Sequence, residues 1–112
     1  MTPRLKAEIW VKAHIRRCRV NDVEATLVRR GDDSAGAVLI KRNWLDGRCS
    51  VLTQARDADG EPMWLQATGA EPVSEAEAND YIDRQLNFDS DLWVLEIEDR
   101  EGRHCLNEPV RT

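Results

Sequence analysis

The sequence predicts an α+β fold: two layers, with a mostly antiparallel sheet carrying a central four-strand meander and two helices on one face. Three observations lead there. Apolar residues recur with the helical period in two separate segments, around residues 11–18 and 78–86. Between those segments, four runs rich in β-branched and aliphatic residues follow one another with turn-forming residues at each junction. A final alternating run follows the second helical segment. Placing both helices on one side of the sheet buries every apolar stripe in two layers.

From Leu5 to Ile9 the apolar residues Leu5, Ala7 and Ile9 alternate with Lys6 and Glu8, the period of a half-buried strand. At Trp10 the period changes. Val11, His14, Ile15 and Cys18 share one face of a helix and leave Lys12, Arg16 and Arg19 on the other. The polar "RVND" ends that helix. "VEATLVRR" (23–30) and "GAVLIKRNW" (36–44) have strand composition, and "GDDSAG" between them has turn composition, which predicts a hairpin. "LDGR" (45–48) carries the Asp-Gly signature of a tight turn into "CSVLTQAR", and "DADG" (57–60) turns again into "PMWLQAT". After Pro72, Ser74 and Glu77 have the three-residue spacing of a capping box and open the helix "SEAEANDYIDRQLNF". Its apolar stripe is Ala78, Tyr81, Ile82, Gln85 and Leu86. A last strand, Leu92 to Glu98, ends at "DREG", and residues 106–112 are expected to fray.

With 112 residues, 41% of them apolar and 33% charged, the chain is long enough for one core, and residues 1–112 are expected to form one α+β domain. Arg4, Lys6 and Glu8 interrupt "MTPRLKAEIW", so no apolar segment there suits export or membrane insertion, and a cytoplasmic location is expected. Cys18, Cys49 and Cys105 are odd in number, widely spaced and without a CxxC pair, as expected of reduced packing residues. The net charge of −5 conceals a polarity along the chain. Residues 1–30 hold eight Lys/Arg and three Asp/Glu; residues 61–112 hold four and thirteen. The expected outcome is mutual neutralisation in the folded protein.

The acids of "WVLEIEDREGRH" (93–104) raise the question of an active site. Alternation puts Trp93, Leu95 and Ile97 on one face of the strand and Val94, Glu96 and Glu98 on the other. Two carboxylates two residues apart on a strand are roughly 7 Å apart, a separation acid/base pairs can use. General acid catalysis also needs an apolar pocket to raise one pKa, whereas this strand end looks solvated. Glu96 and Glu98 are therefore expected to face solvent or Arg29 and Arg30, and their joint replacement by Gln to leave folding nearly unchanged.

His14 and Cys18 have the i, i+4 spacing of two zinc ligands, with His104 and Cys105 as conceivable partners. Adjacent His-Cys side chains diverge, and a buried helix face accounts for the first pair, so no metal and no cofactor is expected. Arg16, Arg17 and Arg19 cannot all point one way on a helix, and no groove-reading motif accompanies them, so nucleic-acid binding is disfavoured. "RRGDDSAG" lacks the lysine and the strand-to-helix context of a phosphate-binding loop and reads as a turn. Trp44 and Trp64, alternating with polar neighbours, are the two tryptophans that could line an exposed groove.

Through "RLKAEIWV", the helix ending "RRC", "VRRGDDSAGAVLIK", "LDG" and "WVLEIEDREGR", the chain resembles a family of small bacterial proteins, domain of unknown function 1491. The resemblance covers nearly the full length and is most specific at Arg29, Arg30, Gly31, Asp32, Ala35, Gly36 and Lys41. It implies a compact one-domain protein and brings no substrate, cofactor or catalytic residue. The incomplete catalytic sets, the charge polarity and the surplus tryptophan together favour a non-catalytic cytoplasmic module. It would bind a protein partner or a second copy of itself through a sheet edge or a Trp-bearing face, with Arg29, Arg30, Trp44 and Trp64 as candidate binding residues. The alternatives are a small hydrolase-like enzyme built on Glu96, Glu98 and Asp99, and a weak nucleic-acid binder using the basic N-terminal helix.

Overall fold

The computed structural model describes residues 6–112. In chain order it contains α1 (Ala7–Val20), β1 (Glu24–Arg29), β2 (Val38–Asn43), β3 (Arg48–Arg56), β4 (Pro62–Gln66), β5 (Val73–Ser74), α2 (Glu75–Phe88), β6 (Trp93–Glu98) and β7 (Val110–Arg111). This is the α+β class the sequence predicts. The expected first strand is not formed over Ala7–Ile9, which belong to α1, and Leu5 lies outside the described residues. The helical period wins because Ala7 extends the Val11, His14, Cys18 stripe back by one turn. All four residues are buried, while Ile9 is 53% exposed.

The sheet runs in the order β1-β6-β2-β3-β4-β7, with β5 paired to β3. β2, β3 and β4 form the antiparallel hairpins that "LDGR" and "DADG" predict, with Gly47 and Gly60 at positive φ in the turns. β1 leaves the expected four-strand meander, because β6 separates it from β2, antiparallel to the former and parallel to the latter. β6 is buried on both faces over Trp93, Val94 and Leu95, as β2 is over Val38, Leu39 and Ile40, which suits the two to neighbouring interior positions. The segment between β1 and β2 is consequently not a hairpin turn: it crosses the start of β6. The Trp93 indole Nε1 donates to Asp32 O at 2.7 Å, and Asp32 N donates to Asp91 O at 3.0 Å. Gly31 and Gly36 lie so close to Asp91 O and the Trp93 ring that a Cβ at either would clash. The two glycines of "RRGDDSAG" thus serve close backbone approach.

The two helices do not share a face. Neighbouring residues of β2 show this: Ile40 packs with Val11, Cys18, Leu52, Trp64, Trp93, Leu95 and Ile97, whereas Leu39 packs with Cys49, Val51, Ala78, Ile82 and Val94. α1 covers one side and α2 the other, so the arrangement has three layers where two were expected. Val94 explains the difference, since the side of β6 that bears it also carries Leu39, Val51 and Cys49 across the sheet and is too apolar to leave in water. The Ser74 hydroxyl accepts from Glu77 N at 3.2 Å and caps α2 as the sequence indicates. The tail is not frayed throughout. Trp64 N donates to Pro109 O at 2.8 Å, and Val110 and Arg111 pair with Trp64 and Leu65.

Candidate functional site

β1 is the edge of the sheet. It pairs with β6 on one side, and its other side faces no strand among the described residues. Glu24 and Thr26 stand opposite Glu98 and Glu96 on the α2 side, while Ala25 and Leu27 stand opposite Ile97 and Leu95 on the α1 side. A bulge between Leu27 and Arg29 then returns Arg29 to the α2 side, opposite Val94. Leu27 is 39% exposed and Val28 57%. Sequence reasoning missed this pair. Its signal was the break in alternation at Leu27-Val28, two consecutive apolar residues ahead of Arg29 and Arg30. Arg29 donates to Ser90 O at 2.9 Å. Arg30 bonds Asp33 at 2.7 Å, lies 3.3 Å from Glu8 and stacks over Trp93 at 5.1 Å.

Neither arginine is paired with Glu96 or Glu98, contrary to the sequence expectation. Glu96 lies under α2, where it accepts from Asn43 Nδ2 at 3.0 Å and sits 3.6 Å from Lys41 Nζ. The same ammonium donates to Glu75 at the start of α2 at 2.8 Å. Burial is the largest influence on Lys41 and opposes its charge, but the Glu75 hydrogen bond and the fields of Glu96 and Glu75 together raise its pKa above the ordinary lysine value. Asp99 is clasped by Arg103 through Nε at 3.0 Å, Nη2 at 2.9 Å and the backbone N at 2.8 Å. The Arg103 guanidinium holds the Asp99 carboxyl below the usual range. A general acid needs the opposite shift.

The remaining candidates are dispersed, except that the fold brings His104 and Cys105 against α1 beside His14 and Cys18. Trp44 is half-buried between Arg42 at 4.7 Å and Arg48 at 5.5 Å, with Gly102 packed on its indole. Trp64, one of the two tryptophans that could have lined a groove, is instead core: it is 2% exposed and packs against Trp10 at 5.4 Å. On α1, Arg16 and Arg19 are exposed, whereas Arg17 reaches toward Cys105 O at 3.5 Å. His14 is fully buried, stacked on Trp10 at 4.9 Å and hydrogen-bonded through Nε2 to His104 O at 2.9 Å. Burial pushes its pKa down to about 4, against the pull of that backbone carbonyl, so the ring is neutral. Among the described residues no group of three or more His, Cys, Asp or Glu side chains could hold a metal ion, and no helix is long and apolar enough to cross a membrane.

A family model described as "Protein of unknown function (DUF1491)" matches residues 5–107. This chain belongs to the DUF1491 family. Two solved structures of a DUF1491 family protein from Caulobacter crescentus CB15 are similar to it. The crystal structure is 42% identical over 96% of this chain and 99% of that one, with a TM-score of 0.86. The NMR structure is 40% identical over 99% and 100%, with a TM-score of 0.84. The solution structure of protein Atu0922 from A. tumefaciens is 30% identical over 95% of each chain, with a TM-score of 0.78. No curated protein matches the chain. The DUF1491 fold is thereby shared along nearly the whole length, and the family carries no assigned activity.

Proposed function

We propose that this DUF1491 protein is a non-catalytic cytoplasmic interaction module that pairs with a second copy of itself through the free edge of β1. The observation that carries this is the self-complementarity of the edge. With Val28 set aside as the bulged residue, antiparallel pairing centred on Thr26 keeps both sheet faces continuous. It sets Glu24 opposite the partner's Arg29 on the α2 side and Ala25 opposite the partner's Leu27 on the α1 side. An open edge that presents Leu27 and Val28 is a template for strand addition, and the bulge confines the pairing to a short stretch. The engagement of Glu96 by Lys41 and of Asp99 by Arg103 further supports a non-catalytic role, as structural ion pairs account for both acids. The three free cysteines suit a reducing cytoplasm.

One added strand pair is well below the roughly 1,600 Å² of a standard interface, so the dimer is weak and concentration-dependent. Sedimentation equilibrium over a wide concentration range tests it. The wild type is expected to self-associate, whereas Glu24→Arg and Arg29→Glu each place like charges opposite one another and remain monomeric. A mixture of the two variants restores opposite charges and forms the heterodimer. A wild type that stays monomeric at millimolar concentration, or a dimer indifferent to both variants, refutes the proposal.

A further inference from the structure

Cys18 and Cys105 are 87 positions apart in sequence and meet where the segment after β6 folds back over the last turn of α1. Cys18 is fully buried, Cys105 is half-buried against the same apolar cluster, and the two thiols interact. The neighbouring chain is pinned to α1 at two further points, by His14 to His104 O and by Arg17 to Cys105 O. Leu106 N returns a bond to His104 Nδ1 at 3.0 Å. Cys105 itself holds a φ of 61°, a left-handed conformation unfavourable for a residue other than glycine. A strained backbone is thus held against α1 by side chains around the thiol pair. Cys49, the third cysteine, lies buried on the opposite, α2 face of the sheet and takes no part.

We propose that Cys18 and Cys105 form a two-electron redox pair: a peroxide converts them to an intramolecular disulfide that locks the C-terminal segment onto α1. Access assigns the roles. Cys105, the less buried residue of the two, attacks the peroxide through its sulfur, forming an S–O bond as the O–O bond breaks, and the departing oxygen takes up a proton and leaves as water. The Cys18 sulfur then displaces the hydroxyl from the Cys105 sulfenic acid, forming the S–S bond and releasing a second water. Overall, two thiols lose two electrons and two protons, and one peroxide becomes two waters. Burial pushes the Cys18 thiol up to about 12, which keeps it protonated and shielded from solvent oxidants until its neighbour is oxidised; it gives up its proton as the S–S bond forms. The clip also fixes β7, which continues from the same segment onto β4.

The experiment treats the reduced full-length protein with one equivalent of hydrogen peroxide, traps free thiols with N-ethylmaleimide and maps the peptides by mass spectrometry. The expected product is a monomer lighter by two hydrogens, with Cys18 linked to Cys105 and only Cys49 alkylated. The Cys49→Ser variant is expected to give the same link. Cys18→Ser is expected to accumulate a dimedone-reactive sulfenic acid at Cys105, and Cys105→Ser to leave Cys18 reduced. Amide exchange over residues 104–111 is expected to slow several-fold on oxidation. The proposal is overturned if Cys105 proceeds to the sulfinic acid while Cys18 stays alkylatable, if the links formed are intermolecular, or if neither cysteine reacts. None of these outcomes depends on pairing through β1.

Discussion

Replacing Lys41 with Met removes a buried cation from between two carboxylates, and the geometry sets the cost. The Lys41 side chain is 7% exposed, that of Glu96 21% and that of Glu75 53%. At 3.6 Å and an effective dielectric of about 20, the attraction between Lys41 and Glu96 is roughly 4–5 kcal/mol before desolvation, and desolvation of the ammonium offsets most of it. The Glu75 pair, half in water, contributes at most about 1 kcal/mol. The net worth of the cluster is therefore small, but the cost of breaking it is not. Met conserves volume and leaves no cavity, while Glu96 keeps only Asn43 as a donor. An uncompensated charge in a fully buried site costs about 3–5 kcal/mol, and the partial exposure of Glu96 brings the expected loss to about 2 kcal/mol. The decisive variant is Glu96→Gln, made in both backgrounds. In the wild type it removes a counter-charge and is expected to cost about 1 kcal/mol; in Lys41→Met it removes the orphaned charge and is expected to restore about the same amount. Urea melts at neutral pH read all four proteins. Because the folded pKa of Lys41 is raised, its contribution is present below the ordinary lysine value and is lost only as pH rises through the folded one. If Glu96→Gln destabilises both backgrounds equally, the carboxylate is not coupled to Lys41 and the reasoning fails.

Ile97→Ala leaves a cavity at a site 1% exposed, between α1 and the sheet, and is expected to cost roughly 2–4 kcal/mol in the same melts. A loss under 1 kcal/mol would mean the core collapses around it. Gly36→Ala puts a Cβ against Asp91 O and the Trp93 ring and is expected to cost about 1–3 kcal/mol with a changed tryptophan fluorescence; an unchanged melt would show that the crossing segment yields freely. His14 is neutral in the fold, with a pKa down to about 4 against 6.5 for a free ring. The unfolded chain therefore binds the proton first, and stability is expected to fall as pH drops from about 6.5 to 4, by of order 3 kcal/mol, with the slope flattened in His14→Gln. Duplex DNA is expected to show no submicromolar affinity in a mobility-shift titration at about 150 mM salt, because Arg17 is turned inward toward Cys105 and the later chain is acidic.

Local periodicity determined much of this protein. The stripes Val11, His14, Cys18 and Ala78, Ile82 lie on their helices as their spacing dictates, Ser74 caps α2, and the Asp-Gly turns join β2 to β3 and β3 to β4. Alternation correctly put Trp93, Leu95 and Ile97 on one side of β6, because side-chain direction along a strand depends only on the pleat. What lies across from that strand is another matter. Strand order, the face each helix covers and the partners of Glu96 depend on contacts between residues far apart in the chain, and no local pattern encodes them. β6 entered between β1 and β2 because its first half, Trp93, Val94 and Leu95, is apolar and buried on both faces, and that single insertion had three consequences. It gave β1 the neighbour β6 in place of β2, turned "RRGDDSAG" from a hairpin into a crossing that needs its glycines, and brought Lys41 beside Glu96 in place of Arg29 and Arg30. The meeting of Cys18 with Cys105, which the sequence offered only as conceivable partners at a metal ion, has the same origin: it is made by the return of the chain after β6 over α1, a long-range closure.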